Sequence, residues 1–181
     1  KATAVQMRAD EARFISRLGR LPAAGPQHAT RIFAQLHHAG NQSTSRISSG
    51  KQIVAPSPVT NQAIGEEPRA LTTEEVRDLV QSFVSAAVRC RTAGFDGVEL
   101  HGAHGYLIDQ FMSPHTNRRD DDYGGSLENR MRFVTEILQG IKRECGQGYP
   151  VMVRFRADEF VEGGIDLDEG KRIAQHLANA G

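Results

Sequence analysis

The sequence has little cysteine, no excess of charge of either sign and no long apolar run, and each absence removes a class of protein. Two cysteines, Cys90 and Cys145, lack the close spacing of a zinc or iron–sulfur site, so we expect packing residues in a reducing, cytoplasmic setting. Basic and acidic side chains both number 22, so no net charge recruits nucleic acid or an anionic membrane. No segment approaches the roughly 20 apolar residues of a membrane helix. We therefore expect a protein that acts on a small molecule, without nucleic acid or membrane partners. Because the sequence begins at Lys1, it leaves open whether a targeting segment lies upstream.

What is present is an alternation of helix and strand over 181 residues. A capping box at 72–75 predicts a helix, since apolar residues follow it at steps of three and four. That apolar face consists of Val76, Leu79, Val80, Phe83, Val84, Ala87 and Val88. A further helix is predicted around Val5 to Leu18. Another begins at a Ser126 cap, and its apolar side consists of Leu127, Met131, Val134, Leu138 and Ile141. The last begins near Asp166 or Asp168, and its apolar side consists of Ile173, Ala174, Leu177 and Ala178.

Three short apolar segments between these helices predict strands, at Ile32–Leu36, Phe95–Leu100 and Val151–Phe155. Strands that alternate with helices predict a parallel sheet with right-handed crossovers, an α/β fold. Three strands are too few to close a barrel of eight, which takes typically ~250 residues. The pattern alone therefore leaves two alternatives, a small open sheet or part of a larger array.

The richest polar segment, His101-Gly-Ala-His-Gly-Tyr106, directly follows the second predicted strand. It places two imidazoles and a phenol where a strand ends, which is the edge at which α/β proteins carry out chemistry. The predicted loops after the strands, about 38–71 and 102–125, are also much longer than those before them. We expect the functional site at this edge of the sheet.

The segment from His101 to Pro114 resembles the signature of the old yellow enzyme family of flavin-dependent reductases. The likeness continues through Asn117, Arg119, Asp121, Tyr123-Gly-Gly-Ser126 and Glu128-Asn-Arg130. Two other segments, Gln35–Gly40 and Val153-Arg154, are similar to the third and fifth barrel strands of that family. The resemblance implies a partial (β/α)8 TIM barrel, with residues 1–181 forming an incomplete barrel domain, the central portion of a larger flavin oxidoreductase domain.

The resemblance also implies a reaction and its cofactors. Family members use FMN, with NADH or NADPH as reductant, to reduce the C=C bond of α,β-unsaturated carbonyl or related compounds. By that likeness, His101 and His104 would hold the activating oxygen as an oxyanion hole does, and Tyr106 would donate a proton to the α-carbon. Gln35 would pair with the pyrimidine edge of the flavin, and Arg154 would stabilise the reduced flavin near its N1 atom.

Two departures from the family limit these expectations. Asn41 stands where the family commonly has a basic residue, and the strands whose loops hold the flavin phosphate are absent, so we expect this chain alone to bind FMN weakly or not at all. The pair His101 and His104 is more similar to the bacterial, enone-reducing branch than to the yeast type. Four side chains of the signature, Arg119, Asp121, Glu128 and Arg130, are expected to form a supporting frame rather than to react.

Two other hypotheses remain open from the residues alone. A metal-dependent hydrolase would use His37, His38, His101 and His104, although Glu99, the nearest carboxylate, is expected to point away from His101. The third hypothesis is a catalytically silent segment of a reductase. The sequence does not distinguish substrates among activated alkenes, and it is compatible with a monomer or a homo-oligomer.

Overall fold

A sheet of three parallel strands with helices on one face forms the centre of the fold, in a computed structural model that describes residue 19 and residues 31–181. The predicted helix around Val5 to Leu18 lies outside the described residues. The elements in chain order are β1 (Phe33–Leu36), a 3-10 turn (Gly40–Gln42), β2 (Val54–Ala55), β3 (Arg69–Ala70), α1 (Thr73–Thr92), β4 (Gly97–Gly102), α2 (Leu107–Met112), α3 (Leu127–Cys145), β5 (Val151–Phe155) and α4 (Leu167–Ala180).

The sheet has the strand order β1-β4-β5, and both pairs are parallel, as the alternation predicted. Gln35 is in register with Glu99, and His101 is in register with Arg154. The short strands β2 and β3 form a separate parallel pair inside the long loop after β1. Because parallel strands end at the same edge, this register brings the ends of β1, β4 and β5 together.

Side-chain caps start the three long helices where the sequence predicted them. Thr72 and Glu75 form the capping box of α1, Ser126 accepts the Asn129 N–H at α3, and Asp166 accepts the Glu169 N–H at α4. Each cap satisfies a backbone donor that the first helical turn leaves unpaired.

The core lies between the sheet and these helices. Val98 and Leu100 of β4 are fully buried there, and α1 and α3, including most of their predicted apolar faces, supply most of the rest. The prediction is wrong at Val88, which is 36% exposed, and at Ala174 and Ala178, which are exposed. Cys90 and Cys145 are buried free thiols, consistent with packing residues.

The opposite face of the sheet carries polar side chains. Gln35 and Arg154 are exposed and Glu99 is partly exposed on this face, whereas the alternate residues of β4 are buried in the core. Strand geometry explains the division, because successive side chains point to opposite faces. Within the described residues, no helix combines the length and apolarity needed to cross a membrane.

Candidate active site

The turn after β4 folds the polar segment back over the strand end. His101 is still in β4, and Tyr106 is the N-cap residue of α2. Between them, His104 and Gly105 both adopt left-handed backbone conformations, with φ of 61° and 73°. Such a conformation is unfavourable for a residue with a side chain, so the surroundings must hold His104 in place.

This turn brings the two predicted imidazoles into contact. The His104 Nδ1 atom lies 3.3 Å from the His101 Nε2 atom, and the two rings are nearly perpendicular. The Tyr106 ring lies 4.9 Å from the His101 ring, measured between centroids. The structure therefore brings together His101, His104 and Tyr106.

A third imidazole, that of His37, joins this group from the end of β1. Its ring centroid is 5.0 Å from that of Tyr106 and 6.1 Å from that of His101. The sequence reasoning considered His37 only as a metal ligand. The strand register was the signal that could have found it, because continuing the Leu36–Leu100 pairing by one residue sets His37 opposite His101.

Gln35 and Arg154 lie on the same sheet face as His101, one on each neighbouring strand. The Gln35 amide donates a hydrogen bond to the Glu99 carboxylate, its register partner. The expectation that Glu99 points away from His101 is wrong, because residues two apart on a strand share a face. The face thus presents an amide, a carboxylate and a guanidinium beside the imidazole pair.

Burial controls the charge of the central imidazole. It lowers the pKa of His101, and nearby His104, His37 and Arg154 lower it further. The pKa of His38 is also lowered, chiefly by burial and then by His37. His101 is therefore a neutral imidazole at neutral pH, with one ring N–H to donate.

The geometry of the pair suits a single acceptor oxygen. Two nitrogens 3.3 Å apart leave room for one oxygen at a normal hydrogen-bond distance of about 2.8 Å from both. In the structure the two nitrogens share a hydrogen bond with each other, so one of them accepts. Around a bound oxygen, the tautomers with N–H groups on both His101 Nε2 and His104 Nδ1 would let both rings donate to it. The other His101 nitrogen, Nδ1, is buried and has no hydrogen-bond partner among the described residues.

A frame of partly buried polar groups supports the loop beyond the site. Arg119 forms an ion pair with Asp121, and Asp121 also accepts a 2.7 Å hydrogen bond from Thr73 at the start of α1. The pKa of Asp121 is held well below its usual range, first by the Arg119 hydrogen bond. Arg119 also donates to the Pro56 and Leu71 carbonyl oxygens, which ties together two loops.

The second arginine of the predicted frame joins α3 to its neighbours. Arg130 donates to the Met112 and Gly125 carbonyl oxygens, at 2.8 and 2.6 Å, and pairs with Glu169 of α4. Glu128, which the sequence reasoning placed in the frame, is exposed on the first turn of α3. Glu169 supplies the carboxylate for Arg130 instead.

Asn41, the departure from the family pattern, is a structural residue. It is buried, donates to the Val59 carbonyl oxygen at 3.0 Å and accepts from the Gln110 amide at 2.8 Å. Its amide therefore connects the loop after β1 to α2.

The part of the chain that the structure describes contains no ligand set for the metal-dependent hydrolase hypothesis. No group of three or more histidine, cysteine, aspartate or glutamate side chains there is arranged to hold a metal ion.

Comparison with known proteins gives a consistent set of matches. Residues 15–180 match the NADH:flavin oxidoreductase / NADH oxidase family. An NADH oxidase of Thermoanaerobacter brockii is 54% identical over the whole chain, and a cinnamate reductase of Clostridium sporogenes is 41% identical over 85% of it. The chain spans 28% and 26% of the lengths of these two relatives.

Solved structures show the same likeness in three dimensions. A 2-naphthoyl-CoA reductase in complex with 2-naphthoyl-CoA superposes with a TM-score of 0.84 at 32% identity, covering 90% of this chain and 26% of that one. A histamine dehydrogenase from Rhizobium sp. 4-9 superposes with a TM-score of 0.83 at 34% identity, covering 90% of this chain and 24% of that one.

Proposed function

Because the chain belongs to the NADH:flavin oxidoreductase / NADH oxidase family, the old yellow enzyme family, we propose that it is the central part of an ene reductase. Membership fixes the fold as part of a (β/α)8 barrel, FMN as the cofactor, and NADH or NADPH as the reductant. The enzyme would reduce the C=C bond of an α,β-unsaturated carbonyl or related compound. The observation that carries the proposal is the 3.3 Å contact between His101 Nε2 and His104 Nδ1, beside Tyr106.

The imidazole pair would stabilise the charge that forms during the reaction. Hydride addition to the β-carbon of a conjugated alkene moves negative charge onto the activating oxygen. An oxygen between His101 and His104 would receive two N–H donors, and one such donor has been worth roughly 2.7–4 kcal/mol in another enzyme. A neutral His101 offers one ring N–H, and it would serve this role in the tautomer that carries the proton on Nε2.

Tyr106 would complete the reaction by donating its phenolic proton. Its ring packs 4.9 Å from that of His101, so a substrate held by the imidazole pair lies beside the phenol. An enolate-like α-carbon is basic enough to take a proton from a tyrosine. The proton and the hydride would reach opposite faces of the double bond.

The sheet face beside the pair fits the isoalloxazine ring of FMN, which when bound supplies the hydride. Gln35 offers both a donor and an acceptor, and this matches the alternating groups of the pyrimidine edge. Arg154, in register with His101, would provide a permanent positive charge near N1. Both side chains are exposed on this face, so neither needs to leave the core to meet the flavin.

The names of two relatives agree with this substrate class. Cinnamate has a C=C bond conjugated to a carboxylate, and naphthoyl-CoA has a ring conjugated to a thioester carbonyl. Each compound presents an activating oxygen of the kind that the imidazole pair would bind.

An absorbance spectrum of the complete enzyme, purified after incubation with FMN, tests the proposal against both alternatives. We expect bound flavin bands that bleach on anaerobic addition of NADH or NADPH and return when an enone is added. Bound zinc without flavin would support the hydrolase, and absence of both would support the silent segment.

A further inference from the structure

Gly105 lies between two proposed site residues, His104 and Tyr106. Side chains of α2 bind both its backbone N–H and its carbonyl oxygen. The Gly105 N–H donates to Asp109 Oδ2 at 2.6 Å, and the Gly105 carbonyl oxygen accepts from Gln110 at 2.6 Å. A substituted residue is poorly accommodated here, because the backbone is left-handed and a Cβ atom would lie 2.5 Å from the Gln42 amide. Fixing this peptide fixes the backbone on which His104 and Tyr106 sit.

Asp109 is a carboxylate in an unusual place. Its side chain is completely buried, yet it forms an ion pair with Arg156, from Asp109 Oδ2 to Arg156 Nη2, at 2.7 Å. Its second oxygen, Oδ1, and the Arg156 Nε atom have no hydrogen-bond partner in the described part of the chain. The Arg156 ion pair and the Gly105 hydrogen bond, both at Oδ2, therefore compensate the charge of a buried group, and burial of a charge is costly without such partners.

Arg156 connects this carboxylate to the next strand end. It follows β5 and also pairs with Glu159 at 2.8 Å. Glu159 in turn accepts hydrogen bonds from Ser113, just beyond α2, and from the Ile165 N–H. The network thus joins the turn after β4 to the loop after β5.

We infer that Asp109 is a positioning residue for the proposed reductase site: its carboxylate, paired with Arg156, holds the Gly105 peptide and thereby the relative placement of His104 and Tyr106. The inference rests on the proposed function. It makes Asp109 part of the site without contact to the substrate.

Burial gives this arrangement a pH dependence. It raises the pKa of Asp109 to about 6, against the lowering effect of Arg156 and the Gly105 hydrogen bond. Asp109 is therefore mostly ionised at pH 7.5 and protonated at pH 5. Protonation removes the charge that holds Arg156 and weakens the charge-assisted bond to Gly105.

The charged and titratable groups around Asp109 come from several elements. Arg156 and Glu159 face it from the loop after β5, and His104 directly precedes the Gly105 that it holds, three residues after His101 of β4. Arg130, from α3, reaches the other end of α2 at Met112. Two imidazoles lie close to the Gly105 backbone, so a test must separate effects at the histidines from those at Asp109.

Binding of p-chlorophenol, which mimics the enolate oxygen, to the complete FMN-loaded enzyme provides this test. Calorimetric titrations of the wild type and Asp109→Asn from pH 5 to 8 give a ratio of dissociation constants at each pH, which compares two proteins that have the same histidines under the same conditions. Asparagine keeps the shape and the acceptor for Gly105 but has no charge. We expect about fivefold weaker binding by the variant at pH 7.5, since a charged hydrogen bond is worth about 1 kcal/mol more than a neutral one, and a ratio near one at pH 5.

Two further variants keep the test decisive. Arg156→Gln should weaken binding at pH 7.5 to a similar extent, whereas Asp168→Asn, a control at an aspartate whose side chain is 87% exposed, should leave it unchanged. If the wild type and Asp109→Asn had equal dissociation constants at every pH, and Arg156→Gln also bound normally, the positioning role would be overturned while the proposed function would stand. A wild-type enzyme that binds no phenol at any pH would overturn the proposed function and this inference with it.

Discussion

His104 shows how much of the site depends on single residues. Its backbone is left-handed, which is uncommon for a residue with a side chain, and this conformation turns its ring onto His101. The conformation is held from outside the turn: the Gln42 amide donates to the His104 carbonyl oxygen, Asp109 accepts from the Gly105 N–H, and Gln110 donates to the Gly105 carbonyl oxygen. Strain at a site of chemistry is commonly maintained in this way.

Tyr106→Phe separates the two half-reactions of the proposed enzyme. Phenylalanine keeps the ring packing against His37 and His101 but has no proton to give. Stopped-flow absorbance should show flavin reduction by NAD(P)H at nearly the wild-type rate, with alkene reduction slower by 10²-fold or more, the usual contribution of an acid. Equal loss in both half-reactions would contradict the proton-donor role.

At the scale of elements, the caps decide where the helices start and so where the loops end. Thr72 accepts the Glu75 N–H, and Glu75 accepts the Thr72 N–H in return. The same Glu75 pairs with Arg69, the first residue of β3, and that hydrogen bond is the main reason why the pKa of Glu75 falls to about 2. The cap therefore anchors the long loop after β1 to α1.

Thr72→Ala should loosen this junction. Loss of an N-cap acceptor costs about 1 kcal/mol, so hydrogen exchange of the first turn of α1 should speed up roughly fivefold. Ser85→Ala, at an exposed position within the same helix, is the matched control and should leave the exchange there nearly unchanged. Equal effects of the two substitutions would show that the cap does not hold the helix start.

Sequence patterns predicted the long elements well because their periodicity is extensive. The caps of α1, α3 and α4 and the bounds of β5 were correct, whereas β4 begins two residues later than predicted and runs through His101 to Gly102. The six-residue helix α2 was missed, since it is too short to show a repeating face and Tyr106 makes no side-chain cap. Asp109 was missed with it.

From the sequence, only those site residues could be predicted that belong to a recognisable motif or to a strand whose neighbours are known. His101, His104 and Tyr106 belong to one segment, so their proximity follows from sequence. Gln35 and Arg154 required the additional knowledge that β1 and β5 flank β4. His37 and Arg156 depend on register and on loop conformation, which a single sequence does not encode in any short pattern.

For the molecule as a whole, the three-stranded sheet corresponds to part of a (β/α)8 barrel. The chain spans about a quarter of the NADH oxidase and cinnamate reductase relatives, and the polar sheet face bearing Gln35 and Arg154 is open. We propose that the remaining strands of the complete barrel enclose this face around FMN. The ends of β1 and β5 would then hold the flavin while the end of β4 holds the substrate.

Ligand titration of the complete FMN-loaded enzyme tests most directly the claim that these strand ends form one reductase site. The measurement is calorimetric binding of p-chlorophenol to the wild type and to the double variant His101→Ala/His104→Ala, with retained flavin as the check of folding. The account predicts binding by the wild type and its loss, by 10²-fold or more, in the double variant, because both donors to one oxygen are removed. Unchanged affinity in a double variant that still holds FMN would contradict it.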